Sequence, residues 1–393
     1  MHECDKKMRW KILLLLFITR LSLGIQFQTM ASTGDYIFFD LGLSFTAIGT
    51  LIGLFMLPGM FLALPAGLLG RYVSDRLLTS IGLVLLGLGG LIIAFGSTYD
   101  QLALGRLCCG AGFVVTNIYF TKMTADWFTS NELGTAISAL VMSYPAGIAL
   151  GQIGYEWLAE AHGWQSAFFI ASAYCFLAGG AVMALYRSPS TVGLPQAGGK
   201  LTVLTLNEFI LTTLASLAWG FLNAGYVVYL SFGPKALITR GVGALEAATI
   251  VSLASWVMIF SGIFVGYVAD RIGRNIILIY LGVAVGVGAI LLTSQPGYAI
   301  LASLALGIFG FGPGGLVMAL SNSAMAPARR AFGMGYFFSL YFLMVSLAPM
   351  IAGWLFERTN DAFTPLVFGA GTFAMIIPTV FVFALVRRHL NAA

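Results

Sequence analysis

The chain has 393 residues, of which 59% are hydrophobic and 9% charged, with a formal net charge of +5. Soluble domains carry roughly 25% charged residues, so these charges are too few to cover a water-facing surface. Soluble enzymes, nucleic-acid binders and secreted disulfide scaffolds are excluded. A spanning helix needs about 20 mostly apolar residues, so twelve of them would occupy about 240 positions, close to the apolar fraction.

The chain opens with Lys6-Lys7-Met8-Arg9 ahead of an apolar run from Ile12 to Ile18, in the manner of a signal peptide. Arg20 interrupts that run and no small-residue cleavage site follows, so a retained first helix is expected. Apolar runs separated by charged or turn-rich breaks then predict spans over 10–33, 43–68, 77–97, 100–121, 131–157 and 164–186. Six more are predicted over 206–232, 246–268, 275–294, 297–320, 332–355 and 363–386. Between the two sets, Arg187 to Lys200 is rich in Ser, Pro and Gly and reads as a linker. The predicted organisation is an N-terminal six-helix half over 1–187, a cytoplasmic linker over 188–204 and a C-terminal six-helix half over 205–393. The fold class is all-α integral membrane, with twelve transmembrane helices in two pseudo-symmetric six-helix halves.

Basic residues orient the spans, because Lys and Arg accumulate on the cytoplasmic side while acids contribute little. With the N-terminus inside, fifteen of the twenty Lys and Arg residues are cytoplasmic. Lys235, Arg240 and Arg358 lie outside, and Arg20 and Arg106 fall within the membrane. Both termini are therefore expected in the cytoplasm, with a bacterial inner membrane as the expected setting. Of the four cysteines, Cys108, Cys109 and Cys175 lie inside apolar runs and Cys4 stands alone. With no CxxC pair and no Cys/His set, neither disulfides nor a metal nor another cofactor is expected. No GxxxxGK[ST] segment occurs, which argues against ATP-driven transport by this chain.

The halves repeat in register. Gly67-Leu-Leu-Gly-Arg71 and Gly266-Tyr-Val-Ala-Asp270 each end an even-numbered span, 199 residues apart. Gly134 and Gly333, and Gly154 and Gly353, keep the same spacing around spans five and eleven. Leu304 to Gly314 matches Leu102 to Gly112 at six of eleven positions. A parallel duplication of six-span halves places a substrate site near the bilayer midplane.

These segments carry a family resemblance. Gly266-Tyr-Val-Ala-Asp270-Arg271-Ile-Gly273-Arg274 resembles the loop motif of the major facilitator superfamily, and Arg106-Leu-Cys-Cys-Gly110-Ala-Gly112 resembles its fourth-span motif. Pro145-Ala-Gly147 is a looser match to its Gly/Pro-rich fifth span. The resemblance implies a secondary transporter whose halves rock, with a latch in the loop after spans two and eight. It assigns gating to Gly67, Arg71, Asp75, Arg76, Gly266, Asp270, Arg271, Gly273 and Arg274. The first loop departs from the motif, carrying Arg71 and Tyr72 where the family has Asp and Arg, so the second loop is the better-formed gate.

Burying an arginine in hydrocarbon costs at least about 2.5 kcal/mol, so Arg20 and Arg106 each need a partner, water or a ligand. No Asp, Glu or His is read in the middle of any span, and an anionic substrate would supply the missing charge, since guanidinium matches carboxylates bidentately. Helical spacing adds Gln28 near Arg20, Asn117 on the face of Arg106, Tyr144 on span five, Trp219, Asn223 and Tyr226 on span seven, and Tyr336 on span eleven. For each tyrosine, interhelical packing is the competing reading. A first-span Arg resembles the organic-anion and organophosphate branches of the superfamily, but Trp219 stands where the organophosphate branch has its second Arg.

The function expected is transmembrane transport, not enzymatic catalysis. The first reading is a carrier of a small organic or inorganic anion by alternating access, as symporter or antiporter. The alternative is a multidrug or hydrophobic-compound exporter, and a third is a non-transporting receptor or assembly factor. The expected partners are a small-molecule substrate, a co-transported ion and the lipid bilayer, with no nucleic acid, and the chain is expected to act as a monomer.

Overall fold

A computed structural model describes residues 3–70, 72–128, 130–189, 203–273, 275–326 and 329–392. The described residues are almost wholly helical, and twelve helical stretches are long and apolar enough to cross a bilayer. In lipid every backbone group must be satisfied internally, and helices do this within one segment. The predicted spans are all present. The linker expected over 188–204 falls largely outside the described residues.

Several helices run longer than their apolar cores. The first is continuous from Glu3 to Leu41, so that Asp35, Tyr36 and Asp40 extend it as helix. Three predicted spans are interrupted. The second breaks at Phe55-Met56, between helices Phe45–Leu54 and Leu57–Leu69. The twelfth breaks at Met375. The tenth contains a π turn over Leu306–Gly310 followed by non-helical Phe311 to Pro313. The amide of Phe311 bonds to the carbonyl of Leu306 at 3.0 Å, five residues back. Pro313 lacks an amide donor and cannot continue the ladder, which fixes the break there.

The chain divides into two compact units. The first contains residues 1–42 and 57–199. Within it the first span packs along Ser130–His162, and Asp75–Ala94 packs along Tyr99–Trp127. Helix starts follow local sequence: Ser74 caps Asp75–Ala94, and Thr98 with Gln101 forms a capping box ahead of Tyr99–Trp127.

The second unit contains residues 43–56 and 200–393. Helix Phe45–Leu54 lies along Arg330–Thr359. Phe45 meets Phe356 edge-on at 4.3 Å, and the amide of Thr46 donates to Glu357 at 3.2 Å. Thr205 and Glu208 form the capping box of Leu206–Ile238. Glu208 also accepts from Arg329 at 3.0 Å. Leu211, Ala215, Ala324, Met325, Phe337 and Phe383 form the apolar core at that end.

Candidate functional site

The first and fifth spans cross at Gly24 and Gly147. A Cβ on Gly24 would lie 2.7 Å from the amide nitrogen of Ile148, and one on Gly147 would lie 3.1 Å from the Cα of Gly24. Only residues without side chains allow backbones this close. One turn along the first span, Arg20 uses that proximity. Its guanidinium donates to the carbonyls of Leu140 at 2.9 Å and Val141 at 3.3 Å, and to the hydroxyl of Ser143 at 3.0 Å. From the fourth span, Asn117 accepts at 2.8 Å.

The Val141 carbonyl is available for a definite reason. Pro145 lies four residues on within the same helix, and a proline there removes the donor that this carbonyl would otherwise receive. Arg20 takes its place. The residue is only 6% exposed, and its Nε has no hydrogen-bond partner. Its acceptors are carbonyls, a hydroxyl and an amide oxygen, all neutral, so none cancels its charge.

Arg106 is fully buried and donates to the carbonyls of Gln26 at 3.4 Å and Phe27 at 3.5 Å. It therefore ties the fourth span to the first through backbone dipoles. Tyr144 lies close enough to interact electrostatically with both arginines, and its ring sits about 6 Å from those of Phe27 and Phe113. Gln28 donates to Gln152 and, at 3.0 Å, to Ser32, while its own Oε1 has no partner. The first unit thus gathers Arg20, Asn117 and Tyr144 in one polar cluster. Gln28 lies further along the first span, near the level at which Arg106 of the fourth span bonds to Gln26 and Phe27.

The residues singled out in the second unit occupy separate surroundings. Asn223 donates back to the carbonyl of Trp219 at 2.8 Å, on its own helix. The Trp219 ring lies 6.3 Å from Tyr341. Tyr226 is buried, with its hydroxyl 2.6 Å from Ser255 and its ring 4.4 Å from Phe311. Tyr336 pairs with Thr213 at 2.9 Å and stacks on Phe209. Thr213 is six residues from Trp219, about 9 Å along a helix, so the structure does not bring Tyr336 to the Trp219–Asn223 surface.

Sequence reasoning missed one group. Glu156 is 7% exposed and accepts from the Tyr36 hydroxyl at 2.7 Å. The fifth span was predicted to end at 157, which left Glu156 at a boundary, but the helix continues to His162. The signal was available: Glu156 follows Gln152 by four residues and Tyr36 follows Gln28 by eight, so both sit on the faces already joined by the glutamines.

Of the loop motifs, Arg71, Arg274 and the side chain of Asp270 lie outside the described residues. Asp75 pairs with Lys122, which also meets Asp126 at 3.4 Å. Arg76 keeps a buried Nε without a partner. Arg271 lies 4.7 Å over the Tyr267 ring of its own helix. Gly273 ends that helix at φ 66°, a left-handed cap that favours glycine. A Cβ on Gly67 or Gly266 would meet nothing within 4 Å, so packing does not require glycine at either position.

Comparison with known proteins agrees with this architecture. The chain is 23% identical to the cis,cis-muconate transport protein of Acinetobacter baylyi, over 95% of this chain and 94% of that one. It is 25% identical to the Escherichia coli protein named "Probable L-galactonate transporter", over 98% and 91% of the two chains. The fold matches a crystallised variant of the nucleoside transporter NupG with a TM-score of 0.74 at 16% identity, covering 95% of this chain and 99% of that one. The Major Facilitator Superfamily model matches residues 12–349, and with a duplicated twelve-span fold beneath that match, the chain belongs to the Major Facilitator Superfamily of membrane transporters.

Proposed function

We propose that this secondary transporter carries a small organic anion, a carboxylate in the first instance, across a bacterial inner membrane by alternating access. The observation that carries this reading is the state of Arg20: a guanidinium buried at mid-span whose protein acceptors are all neutral. Dipoles satisfy its hydrogen bonds but leave its charge, and an anion bound beside it gains a charge-assisted interaction in a medium of low dielectric. Muconate and galactonate, named for the two relatives, are both carboxylates, which supports the same class.

Asn117 and Tyr144 orient the anion beside Arg20. Trp219, Asn223, Tyr226 and Tyr336 are the second unit's contributions to the pathway. Residues 1–187 and 205–393 act as the moving halves and 188–204 as their cytoplasmic linker. Coupling is by symport or antiport, and the loops around Asp75 and Asp270 bias the conformational equilibrium without touching substrate.

Thermal stabilisation of the purified chain in detergent by cis,cis-muconate and L-galactonate tests the reading. Arg20→Lys keeps the charge but loses the planar fork, so a roughly ten- to hundredfold weaker response is expected, and Arg20→Ala should respond less still. Full stabilisation of Arg20→Ala by a probe that stabilises the wild type would make Arg20 purely structural and remove the anion assignment.

A further inference from the structure

At one end of the second unit, helices Asn275–Thr293, Gly314–Ala324 and Ile376–Ala392 border a cavity of about 670 Å³. Its walls are mostly apolar, with Leu316, Leu320, Val380 and Phe383 among them, and Arg387 and Arg388 stand on the same lining. The apolar stretch of the last span runs from Phe363 to His389, so the two arginines mark the level where hydrocarbon gives way to headgroups.

Three other basic residues near span ends are held by carboxylates, Arg9 by Glu132, Lys122 by Asp75 and Asp126, and Arg329 by Glu208, while Arg240, Arg271 and Arg358 lie over aromatic rings. Arg387 and Arg388 are exposed, and among the described residues neither has a carboxylate or hydrogen-bond partner. A soluble anion would use the arginines and leave the apolar walls unfilled. A zwitterionic lipid would fill the walls but bring its own cation to the arginines. One ligand chemistry satisfies both features.

We infer that this cavity docks an anionic phospholipid, with its phosphate at Arg387 and Arg388 and an acyl chain against Leu316, Leu320, Val380 and Phe383. Basic pockets at membrane interfaces attract anionic headgroups through a short-range field that each Lys or Arg strengthens. The lipid completes the charge balance of the last helix and fills the cavity that these three helices border.

Native mass spectrometry of the full chain released from detergent, after titration with phosphatidylglycerol or phosphatidylcholine, tests this. Phosphatidylglycerol should be retained in preference. The double variant Arg387→Gln/Arg388→Gln should bind it about thirtyfold more weakly. Ser323→Trp, which fills the cavity from the tenth span and leaves both arginines in place, should also lose retention. Four results would each overturn the inference. They are equal retention of the two lipids, unchanged retention in the arginine variant, full retention by Ser323→Trp, and displacement of the lipid by glycerol 3-phosphate at matching concentration. A mass corresponding to a second copy of the chain seated in place of lipid would overturn it too.

Discussion

The segments Leu102–Gly112 and Leu304–Gly314 share six of eleven residues, yet one is part of a continuous helix and the other is broken. The shared glycines do similar work in both. A Cβ on Gly105 would lie 2.7 Å from the Gly89 carbonyl, and one on Gly307 would lie 3.0 Å from the Cα of Ala254. Each therefore lets a neighbouring backbone approach. The differing positions separate them. Where the first segment has Ala111, the second has Pro313, and the ladder passes through a π turn into an irregular stretch. Where the first has Arg106, reaching the carbonyls of Gln26 and Phe27, the second has Ile308. Short π segments inside α-helices often mark places where a helix has been adapted. Duplication fixed the packing, and the departures from it carry the specialisation.

The same contrast extends through the two units. The first buries guanidiniums, glutamines and Glu156 along the first, fourth and fifth spans. The second satisfies its buried tyrosines with hydroxyls: Tyr226 with Ser255, and Tyr229 with Ser303 at 2.8 Å. Buried guanidiniums are found in the first unit, whereas aromatic contacts occur in both.

Transferring the break tests the comparison most severely. Ala111→Pro should impose the tenth span's interruption on the fourth, where no π turn precedes it, and is expected to destabilise by about 3 kcal/mol. A melting temperature in detergent close to that of the wild type would show that the fourth span tolerates the break and that Pro313 is not its cause.

Glu156→Gln probes the polar face at smaller cost. The amide oxygen can still accept from Tyr36, so a loss of about 1 kcal/mol is expected, while Tyr36→Phe leaves the buried carboxylate without its donor and should lose about 1–3 kcal/mol. Equal melting temperatures for the two variants would contradict a bond in which Tyr36 is the donor. In the second unit, Tyr226→Phe should cost about 1 kcal/mol by orphaning Ser255, and the Ser255→Ala/Tyr226→Phe pair should recover part of it. Strict additivity in that cycle would argue against the pair.

The smallest effect belongs to Pro313→Ala. Restoring an amide donor should shift stability by less than about 1 kcal/mol, because the surrounding packing has formed around the break. Slower hydrogen exchange at Phe311 to Gly314 would report a straightened helix, and unchanged exchange would assign the interruption to Gly312 and its neighbours.

Much of the architecture was legible in the sequence because it depends on local properties. Apolar runs about a bilayer long, the repeat of Gly154 by Gly353, and the lone charges at Arg20 and Arg106 can each be read from a short window. The boundaries of Glu156 and Asp40 were misjudged for the same reason: a helix that outlasts its apolar run gives no hydropathy signal.

Sequence alone determined that this is a twelve-span, duplicated membrane protein, because lipid admits few ways to satisfy a backbone and charges must stay at its margins. It also determined that Arg20 must have partners. Which partners it has was decided by tertiary structure. Leu140 and Val141 lie 120 and 121 residues away and Asn117 lies 97 away; Pro145 frees the Val141 carbonyl, and Gly24 meets Gly147 closely enough to bring both carbonyls within reach. Tyr36 finds Glu156 across 120 residues by the same helix crossing. Hydropathy and periodicity are properties of neighbours in the chain, whereas a hydrogen bond between spans depends on their crossing point and rotation, which only the packed bundle sets.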